Sequence, residues 1–169
     1  MIVVLSDTHG KTGPRLEGRT ADAVEEADVL IHAGDFIREP VLDAFEELAP
    51  AFYGVYGNVD DDAIRARLPR SRTVEVEPFR LAVIHTVDGG DTELSIFGKD
   101  LEADIVIHGH SHRPRYDWTG EIGLLNPGSH AQPRGNRPAH AELEIVDRRL
   151  SGRIVQPDGT VIQRFEQND

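Results

Sequence analysis

Residues 1–10 read MIVVLSDTHG, a short apolar run that ends in an aspartate and a histidine two positions apart. The run IVVL is typical of a strand buried on both faces, and DVLIHAG (28–34) and AFYGVYG (51–57) repeat the pattern. Between these runs, RTADAVEEA and PVLDAFEEL are amphipathic and predict helices, the second with Pro40 at its start. The order βαβαβ predicts a parallel sheet with helices against its faces.

The second half of the chain is richer in strands. RTVEVE (72–77) and FRLAVIH (79–85) are separated by Pro78 and predict a hairpin. DDAIRARL (61–68) and TELSIFGKDLE (92–102) predict helices, and ADIVIHG (103–109) predicts another buried strand. Further short strands follow, separated by Gly, Pro and Asp-Gly turns, and QPDGTV predicts a hairpin turn. We expect an α/β layered fold with two sheets, in a single domain over residues 1–169.

The charge balance argues against one class of partner. The chain of 169 residues has 30 Asp and Glu against 18 Lys and Arg, a formal net charge of -12. This charge opposes binding to the phosphate backbone of nucleic acid and to an anionic membrane. The lysines are Lys11 and Lys99, and acidic residues are spread along the whole chain. This pattern indicates either a protein adapted to high salt or an ordinary acidic cytosolic protein.

The residues that are missing exclude several kinds of chemistry. There is no cysteine, which excludes disulfides, thiolate metal sites and nucleophilic cysteine chemistry. The chain has no run of about 18 consecutive apolar residues, and MIVVLSDTHG contains no basic leader. A cytoplasmic location is the default expectation.

Polar side chains collect where the predicted buried strands end. In an open α/β sheet, ligands bind outside the carboxyl ends of the strands, so side chains at these positions should converge in space. Two pairs are two residues apart and project to the same side of an extended segment. An oxygen and nitrogen ligand set without sulfur suits Mn²⁺, Fe or Zn²⁺. The candidate ligands are Asp7, His9, Asp35, Asn58, His85, His110 and His112.

Each candidate also has a purely structural interpretation. Asp7 alone is consistent with a turn or a helix cap, and His85 with a hydrogen-bonded core histidine. Three histidines within IHGHSH are harder to explain without a metal, because clustered imidazoles cost desolvation and repel when charged. His108 shares the parity of His110 and His112, but crowding favours a supporting role for it. His32 is interpreted as a core or supporting residue.

The order of these motifs resembles that of the calcineurin-like metallophosphoesterase superfamily. The matching motifs are SDTHG, AGDF, YGNVD, VIHT and GHSH, within about residues 1 to 130. The short chain, the GNVD form and LLNPGS are similar to its small prokaryotic phosphodiesterase branch. The resemblance implies a four-layer α-β-β-α sandwich in which helices flank two mixed β-sheets.

The resemblance also implies a centre of two divalent metal ions with both catalytic and metal-binding roles for the seven candidates. One ion would be held by Asp7, His9, Asp35 and His112, and the other by Asp35, Asn58, His85 and His110. A bridging hydroxide would be the nucleophile in the hydrolysis of a phosphate ester. Manganese is the expected metal, with iron, zinc and nickel as alternatives.

Two departures from the family pattern lie on the substrate side. Many members carry His directly after Gly-Asn as a general acid, whereas Val59 and Asp60 follow here, which leaves protonation of the leaving group unassigned. The branch often has Gly and a second His after the position of His85, whereas this chain has Thr86 and Val87. The family's substrate contacts are therefore not carried over at these positions.

NPGSHAQPRG (126–135) is expected to form a loop near the site. The resemblance points to Asn126, Gly128 and Ser129 as a structural turn, with His130 facing substrate. Three arginines are each consistent with a phosphate clamp or with a solvated surface charge, namely Arg38, Arg113 and Arg134.

Three functions follow from these features, in a definite order. The first is hydrolysis of a small phosphate ester, with a diester favoured over a monoester. The second is a noncatalytic protein-binding scaffold, because the same fold resembles a protein-sorting coat subunit, although such a member should show eroded ligands. The third is a nuclease, which the absence of a basic groove disfavours. A homo-oligomer is consistent with the family likeness.

Overall fold

Two mixed β-sheets pack face to face, and helices cover part of their outer faces. The computed structural model describes residues 1–168. Its strands are β1 (Ile2–Leu5), β2 (Val29–His32), β3 (Ala51–Gly54), β4 (Ser71–Val76), β5 (Phe79–Ile84), β6 (Ile105–Ile107), β7 (Arg115–Trp118), β8 (Gly123–Asn126), β9 (His140–Val146), β10 (Arg149–Val155) and β11 (Val161–Asn168). Its helices are α1 (Gly18–Glu25), α2 (Glu39–Glu46), α3 (Asp62–Arg67) and α4 (Gly90–Asp100).

The first sheet has the strand order β11-β10-β9-β1-β2-β3. The β1, β2 and β3 strands run parallel, as the βαβαβ pattern predicts, whereas β9, β10 and β11 add an antiparallel half. Side chains alternate along β1, so that Val3 and Leu5 pack against α1 and α2, while Val4 faces the second sheet. Both helices therefore lie on one face of this sheet. The other face of this sheet is buried by the second sheet.

The second sheet has the order β4-β5-β6-β8-β7 and is also mixed. The β4 and β5 strands form the predicted antiparallel hairpin, and β5, β6 and β8 run parallel. Leu81 and Val83 on β5 face the first sheet, whereas Ala82 and Ile84 pack with α4. The resulting layers are helices, sheet, sheet and helix, which confirms the four-layer α-β-β-α sandwich.

The turn between β10 and β11 has the predicted Asp-Gly chemistry, since the Gly159 amide donates to the Gln156 carbonyl at 2.9 Å. All four predicted helices are present, with ends within a few residues of the expected positions.

Within residues 1–168, no helix combines the length and the apolar character needed to cross a membrane.

A buried carboxylate ties α1 to the antiparallel half of the first sheet. The Glu142 side chain accepts from Arg19 Nε at 2.9 Å and from Arg153 Nη2 at 2.6 Å, and it lies 3.1 Å from His140 Nε2. His140 Nδ1 in turn lies 2.9 Å from the Thr20 hydroxyl. Burial alone would raise the pKa of Glu142, but His140, Arg19 and Arg153 hold it well below its usual value.

We expect Glu142→Gln to lower the free energy of unfolding by about 2 kcal/mol at pH 7, because it removes the negative charge shared by Arg19 and Arg153 and replaces one acceptor oxygen with an amide NH2 group. A carboxyl group whose pKa is depressed by folding stabilises the fold fully above its unfolded pKa of about 4.5, and this contribution is lost progressively as the pH falls from there towards the depressed pKa of the folded state. Urea unfolding should therefore show a smaller difference in stability between the wild-type protein and Glu142→Gln at pH 4 than at pH 7. Glu144→Gln, at an exposed position further along the same strand, is the control. Equal stability of both variants at pH 7 would contradict this account.

Candidate metal centre

The seven candidate ligands lie on loops at the carboxyl ends of five strands. Asp7 and His9 follow β1, Asp35 follows β2, and Asn58 follows β3. The remaining three come from the second sheet, where His85 follows β5 and the pair His110 and His112 follows β6. The structure brings all seven together in one cluster across the two sheets.

One part of the cluster surrounds Asp7, which is fully buried. Its Oδ2 atom accepts from the Ser6 hydroxyl at 2.7 Å and from the His110 amide at 3.0 Å. Its Oδ1 atom lies 3.2 Å from His112 Nε2 and 3.8 Å from His9 Nε2. Since Oδ2 is occupied by two donors, Oδ1 is the atom of Asp7 that is directed at the imidazoles.

The other part surrounds Asp35. Its Oδ1 atom accepts from the Val59 amide at 3.1 Å, and its Oδ2 atom lies 3.2 Å from His85 Nε2 and 3.4 Å from His9 Nε2. The Asn58 Oδ1 atom lies 3.1 Å from His85 Nε2 and 2.9 Å from His110 Nδ1. Asp35 therefore stands between the two parts of the cluster, because His9 belongs to one and His85 to the other.

The orientation of two imidazoles is fixed from behind by backbone carbonyls. His85 Nδ1 donates to the Ala33 carbonyl at 2.6 Å, and His112 Nδ1 donates to the Gln132 carbonyl. A neutral imidazole that donates through Nδ1 presents the lone pair of Nε2 on its other side. In both residues that lone pair points at a carboxylate oxygen, an arrangement that requires either a proton or a cation between them.

The donor set fits a divalent cation. Three buried atoms of the cluster have no hydrogen-bond partner among the described residues, namely Asp7 Oδ1, His9 Nε2 and His112 Nε2. A buried polar atom without a partner is costly, and a cation would satisfy all three at once. The ligand atoms of Asp7, His9 and His112 lie within 4.8 Å of one another, as do those of Asp7, Asp35 and His85. Oxygen and nitrogen donors of this kind suit first-row divalent metals.

The pKa shifts of the clustered aspartates and histidines also favour a bound cation. Burial alone would raise the pKa values of Asp7 and Asp35. The imidazoles of His112, His9 and His85 hold the pKa of Asp7 well below its usual range, and those of His85 and His9 do the same for Asp35. Burial opposes charge on His9 as well, yet the two carboxylates raise its pKa to about 9, and His85 is shifted in the same direction. Without a metal the cluster therefore binds protons, which a divalent cation would displace.

Backbone strain is concentrated at the same positions. Five of the seven candidates have a positive φ, at Asp7 (54°), His9 (47°), Asp35 (62°), His110 (68°) and His112 (54°). Side-chain-bearing residues seldom adopt this left-handed conformation, and where they do it is often at a functional site.

Asp60 has a supporting role in this centre. It is buried, and its carboxylate accepts from the backbone amides of Asp35 at 3.0 Å, Ile37 at 2.7 Å and Gly57 at 2.7 Å. These amides belong to the loops that carry Asp35 and Asn58. Asp60 therefore holds these two loops in register.

We expect Asp60→Ala to lower the free energy of unfolding by about 3 kcal/mol, because it leaves three backbone amides without an acceptor. Asp61→Ala is the matched control, since its carboxylate accepts from one amide, that of Ile64 at 3.1 Å, as the N-cap of α3. Loss of that cap should cost only about 1 kcal/mol. Chemical denaturation of the two variants measures both values, and a smaller loss for Asp60→Ala than for Asp61→Ala would contradict the supporting role.

Two other predicted residues are buried histidines. Burial lowers the pKa of His108 to about 4, and its Nδ1 lies 3.5 Å from the Asn126 amide nitrogen, which donates to the Gly109 carbonyl. His108 thus packs beside the loop that carries His110. His32 is fully buried, contacts the Thr8 hydroxyl at 2.8 Å and is a core residue, as expected.

The 126–135 loop differs in one respect from the expectation. Ser129 donates to the Asp7 carbonyl at 2.7 Å and so forms the expected structural turn beside the site. His130, expected to face substrate, is instead buried, and its Nε2 lies 2.8 Å from the Pro14 carbonyl. The three arginines of uncertain role, Arg38, Arg113 and Arg134, are all exposed.

Sequence reasoning missed a cleft beside the cluster. It has a volume of about 300 Å³ and is shared by Asn58 and His85 with the side chains of Tyr56, Arg65 and Arg70. The sequence predicts a helix over DDAIRARL (61–68), which contains Arg65, and gives no role to Arg70. The arginines within residues 65–70 were the only sequence signal for the cleft. They do not stand out, because arginine is the common basic residue throughout the chain.

A family model, curated relatives and a solved structure all relate this chain to calcineurin-like phosphoesterases or their fold. A family model described as the calcineurin-like phosphoesterase superfamily domain matches residues 1–148. A probable metallophosphoesterase of Methanothermobacter thermautotrophicus is 35% identical over 95% of both chains. Phosphodiesterase YfcE of Escherichia coli is 31% identical over 76% of this chain and 70% of its own. The structure of Vps29 from Entamoeba histolytica, in complex with Zn²⁺, has a TM-score of 0.79 at 23% identity, with 98% of each chain covered.

Proposed function

Because the chain belongs to the calcineurin-like phosphoesterase superfamily, whose members bind divalent metals, we propose that it is a phosphodiesterase that hydrolyses a small phosphate ester with two such ions. The observation that carries the proposal is the group of three buried and unpartnered atoms, Asp7 Oδ1, His9 Nε2 and His112 Nε2. They are metal-ligand atoms directed at one another, and a noncatalytic fold without a metal would be destabilised by them. A relative named as a phosphodiesterase supports the choice of a diester.

Two sets of ligands share one carboxylate in this proposal. The first ion is held by Asp7, His9, Asp35 and His112, and the second by Asp35, Asn58, His85 and His110. The contacts of Asp35 with both His9 and His85 support its place between the two sets. Manganese is the proposed metal, with iron, zinc and nickel as alternatives that offer the same preference for oxygen and nitrogen donors.

The two ions would supply a hydroxide nucleophile near neutral pH and positive charge for the phosphoryl oxygens. The residues of the chain determine where substrate meets them. Asp7 and His112 form a floor closed to solvent, whereas Asn58 and His110 are exposed. Substrate therefore approaches from the side of Asn58, whose amide group has both an oxygen that binds metal and a nitrogen that donates to a phosphate.

The test is hydrolysis of bis-p-nitrophenyl phosphate and p-nitrophenyl phosphate by protein stripped with a chelator. We expect no turnover without metal, restored diester turnover on addition of Mn²⁺, and a lower rate with the monoester. The assay is run at low and high salt, because the high acidic content predicts tolerance of salt.

The noncatalytic scaffold is the second candidate, favoured by the fold similarity to Vps29 alone. Absence of turnover with Mn²⁺, Fe²⁺, Zn²⁺ or Ni²⁺, in protein shown by circular dichroism to be folded, would place it first. A nuclease stays third, and the net charge of -12 argues against it.

A further inference from the structure

The cleft beside Asn58 and His85 has a charge opposite to that of the protein. Its lining residues include no acidic side chain, although the chain as a whole carries a net charge of -12. The two charged side chains that line it are both arginines, Arg65 and Arg70. A positive cleft on a negative protein is a feature that a bound anion would explain.

Arg65 is held in place by the loop that carries Asn58. Its Nε donates to the Asp60 carbonyl at 2.9 Å, and its Nη2 donates to the carbonyls of Gly57 at 3.2 Å and Asn58 at 2.8 Å. Its guanidinium carbon lies 5.0 Å from the centre of the Tyr56 ring. These contacts use three of the five N–H donors, so the two on Nη1 remain for a ligand. An arginine fixed in this way loses little side-chain entropy when it binds an anion.

Among residues 1–168, the guanidinium group of Arg70 has no hydrogen-bond partner. The Tyr56 amide donates to the carbonyl of Pro69 at 3.1 Å, which fixes the segment that carries Arg70 at the edge of the cleft. Within residues 1–168, neither Arg65 nor Arg70 has a carboxylate partner, in contrast to Arg67 between them, which pairs with Glu39, Asp43 and Glu46. The unpaired charge is therefore confined to the side of this segment that faces the cleft.

We propose that this cleft is a substrate subsite that binds an anionic group, a carboxylate or a phosphate, carried by one of the two ester substituents of the diester. The inference rests on the proposed phosphodiesterase activity and specifies its substrate class. Arg65 and Arg70 contact the anionic group, and Tyr56 and Thr86 line the space around the rest of the substituent. The reacting phosphoryl group lies next to Asn58 and His85, which border the same cleft.

The experiment compares p-nitrophenyl phenyl phosphate with p-nitrophenyl 4-carboxyphenyl phosphate, which release the same nitrophenolate and differ by one carboxylate. We expect the wild-type protein with Mn²⁺ to favour the carboxylated ester about tenfold in kcat/KM at low ionic strength, after correction for the uncatalysed rates. In Arg70→Gln this ratio should fall towards one. Arg164→Gln, an equal change of charge at an exposed position on β11 at the opposite edge of the first sheet, should keep the wild-type ratio.

A ratio near one in the wild-type protein, or the same ratio in wild type and Arg70→Gln, would overturn the subsite while leaving the phosphodiesterase activity established. Hydrolysis of neither ester would instead overturn the proposed activity. In that case calorimetry with diphenyl phosphate and 4-carboxyphenyl phenyl phosphate tests the cleft without turnover, since Arg70→Gln should weaken only the binding of the carboxylated ester. A 4-phosphonophenyl ester in the same series distinguishes a preference for a phosphate-like dianion from one for a carboxylate.

Discussion

Asp35→Ala is expected to lower kcat/KM for bis-p-nitrophenyl phosphate by about a thousandfold or more, even at saturating Mn²⁺. The Asp35 carboxylate contacts imidazoles from both parts of the cluster, so its loss removes a ligand from both proposed metal sites. It also removes a negative charge that would offset the charge of the two proposed cations. The measurements are steady-state kinetics together with the metal content of the purified variant, which should fall below that of the wild-type protein.

Two further variants separate this effect from a failure to fold. His110 is exposed, so His110→Ala should retain the thermal midpoint of the wild-type protein while it too loses most diester hydrolysis. Asp117→Ala, at an exposed aspartate on β7, should retain wild-type kinetics. Full activity in Asp35→Ala or in His110→Ala would mean that hydrolysis, where it occurs, does not depend on this cluster.

Local pattern was sufficient to predict most of the fold. The runs IVVL and DVLIHAG carry apolar residues at both parities, and β1 and β2 are buried on both faces, between helices and a second sheet. The antiparallel pairing of β4 and β5 followed from two apolar runs separated by one proline. Convergence of the candidate ligands required no more than the rule that functional groups collect at the carboxyl ends of strands.

The contacts that hold the site in place were not predictable in the same way. The Ser129 hydroxyl reaches the Asp7 carbonyl across 122 positions of the chain, and the Gln132 carbonyl orients His112. Neither contact can be recognised in the sequence, because every residue carries the same backbone carbonyl group. Asp60 likewise had no assigned role in the sequence, and its three amide donors show that it supports the loops.

The histidines after β6 show that odd or even spacing does not determine side-chain direction beyond the end of a strand. His108 and His110 point to the same side of an ideal strand, yet His108 is buried beside Asn126, while His110 is exposed and reaches Asn58. The strand β6 ends at Ile107, and the positive φ at His110 redirects the chain after that point. Period-two reasoning holds within a strand and fails where a loop begins.

Gly57→Ala is expected to lower kcat/KM for bis-p-nitrophenyl phosphate by about a hundredfold, although the change adds a single methyl group. A Cβ atom at position 57 would overlap Asp35 Oδ1 and would lie 2.5 Å from the Asp35 amide nitrogen. The loop that follows β2 cannot yield freely, because the Asp35 amide is held by Asp60 at 3.0 Å. The methyl group must therefore displace the Asp35 carboxylate from its position between His9 and His85, and a displacement of about 1 Å at a reacting centre is enough for an effect of this size.

Gly13→Ala is the matched control for this substitution, because a Cβ at position 13 has no heavy atom within 4 Å. It makes the same chemical change in the same layer of loops and should leave both kinetics and metal affinity at wild-type values. Calorimetric titration with Mn²⁺ should show weaker binding in Gly57→Ala and unchanged binding in Gly13→Ala. If Gly57→Ala instead binds Mn²⁺ and hydrolyses the diester as the wild-type protein does, the position of the Asp35 carboxylate does not limit metal binding. The absence of a side chain at position 57 would then serve the packing of the two loops and not the centre itself.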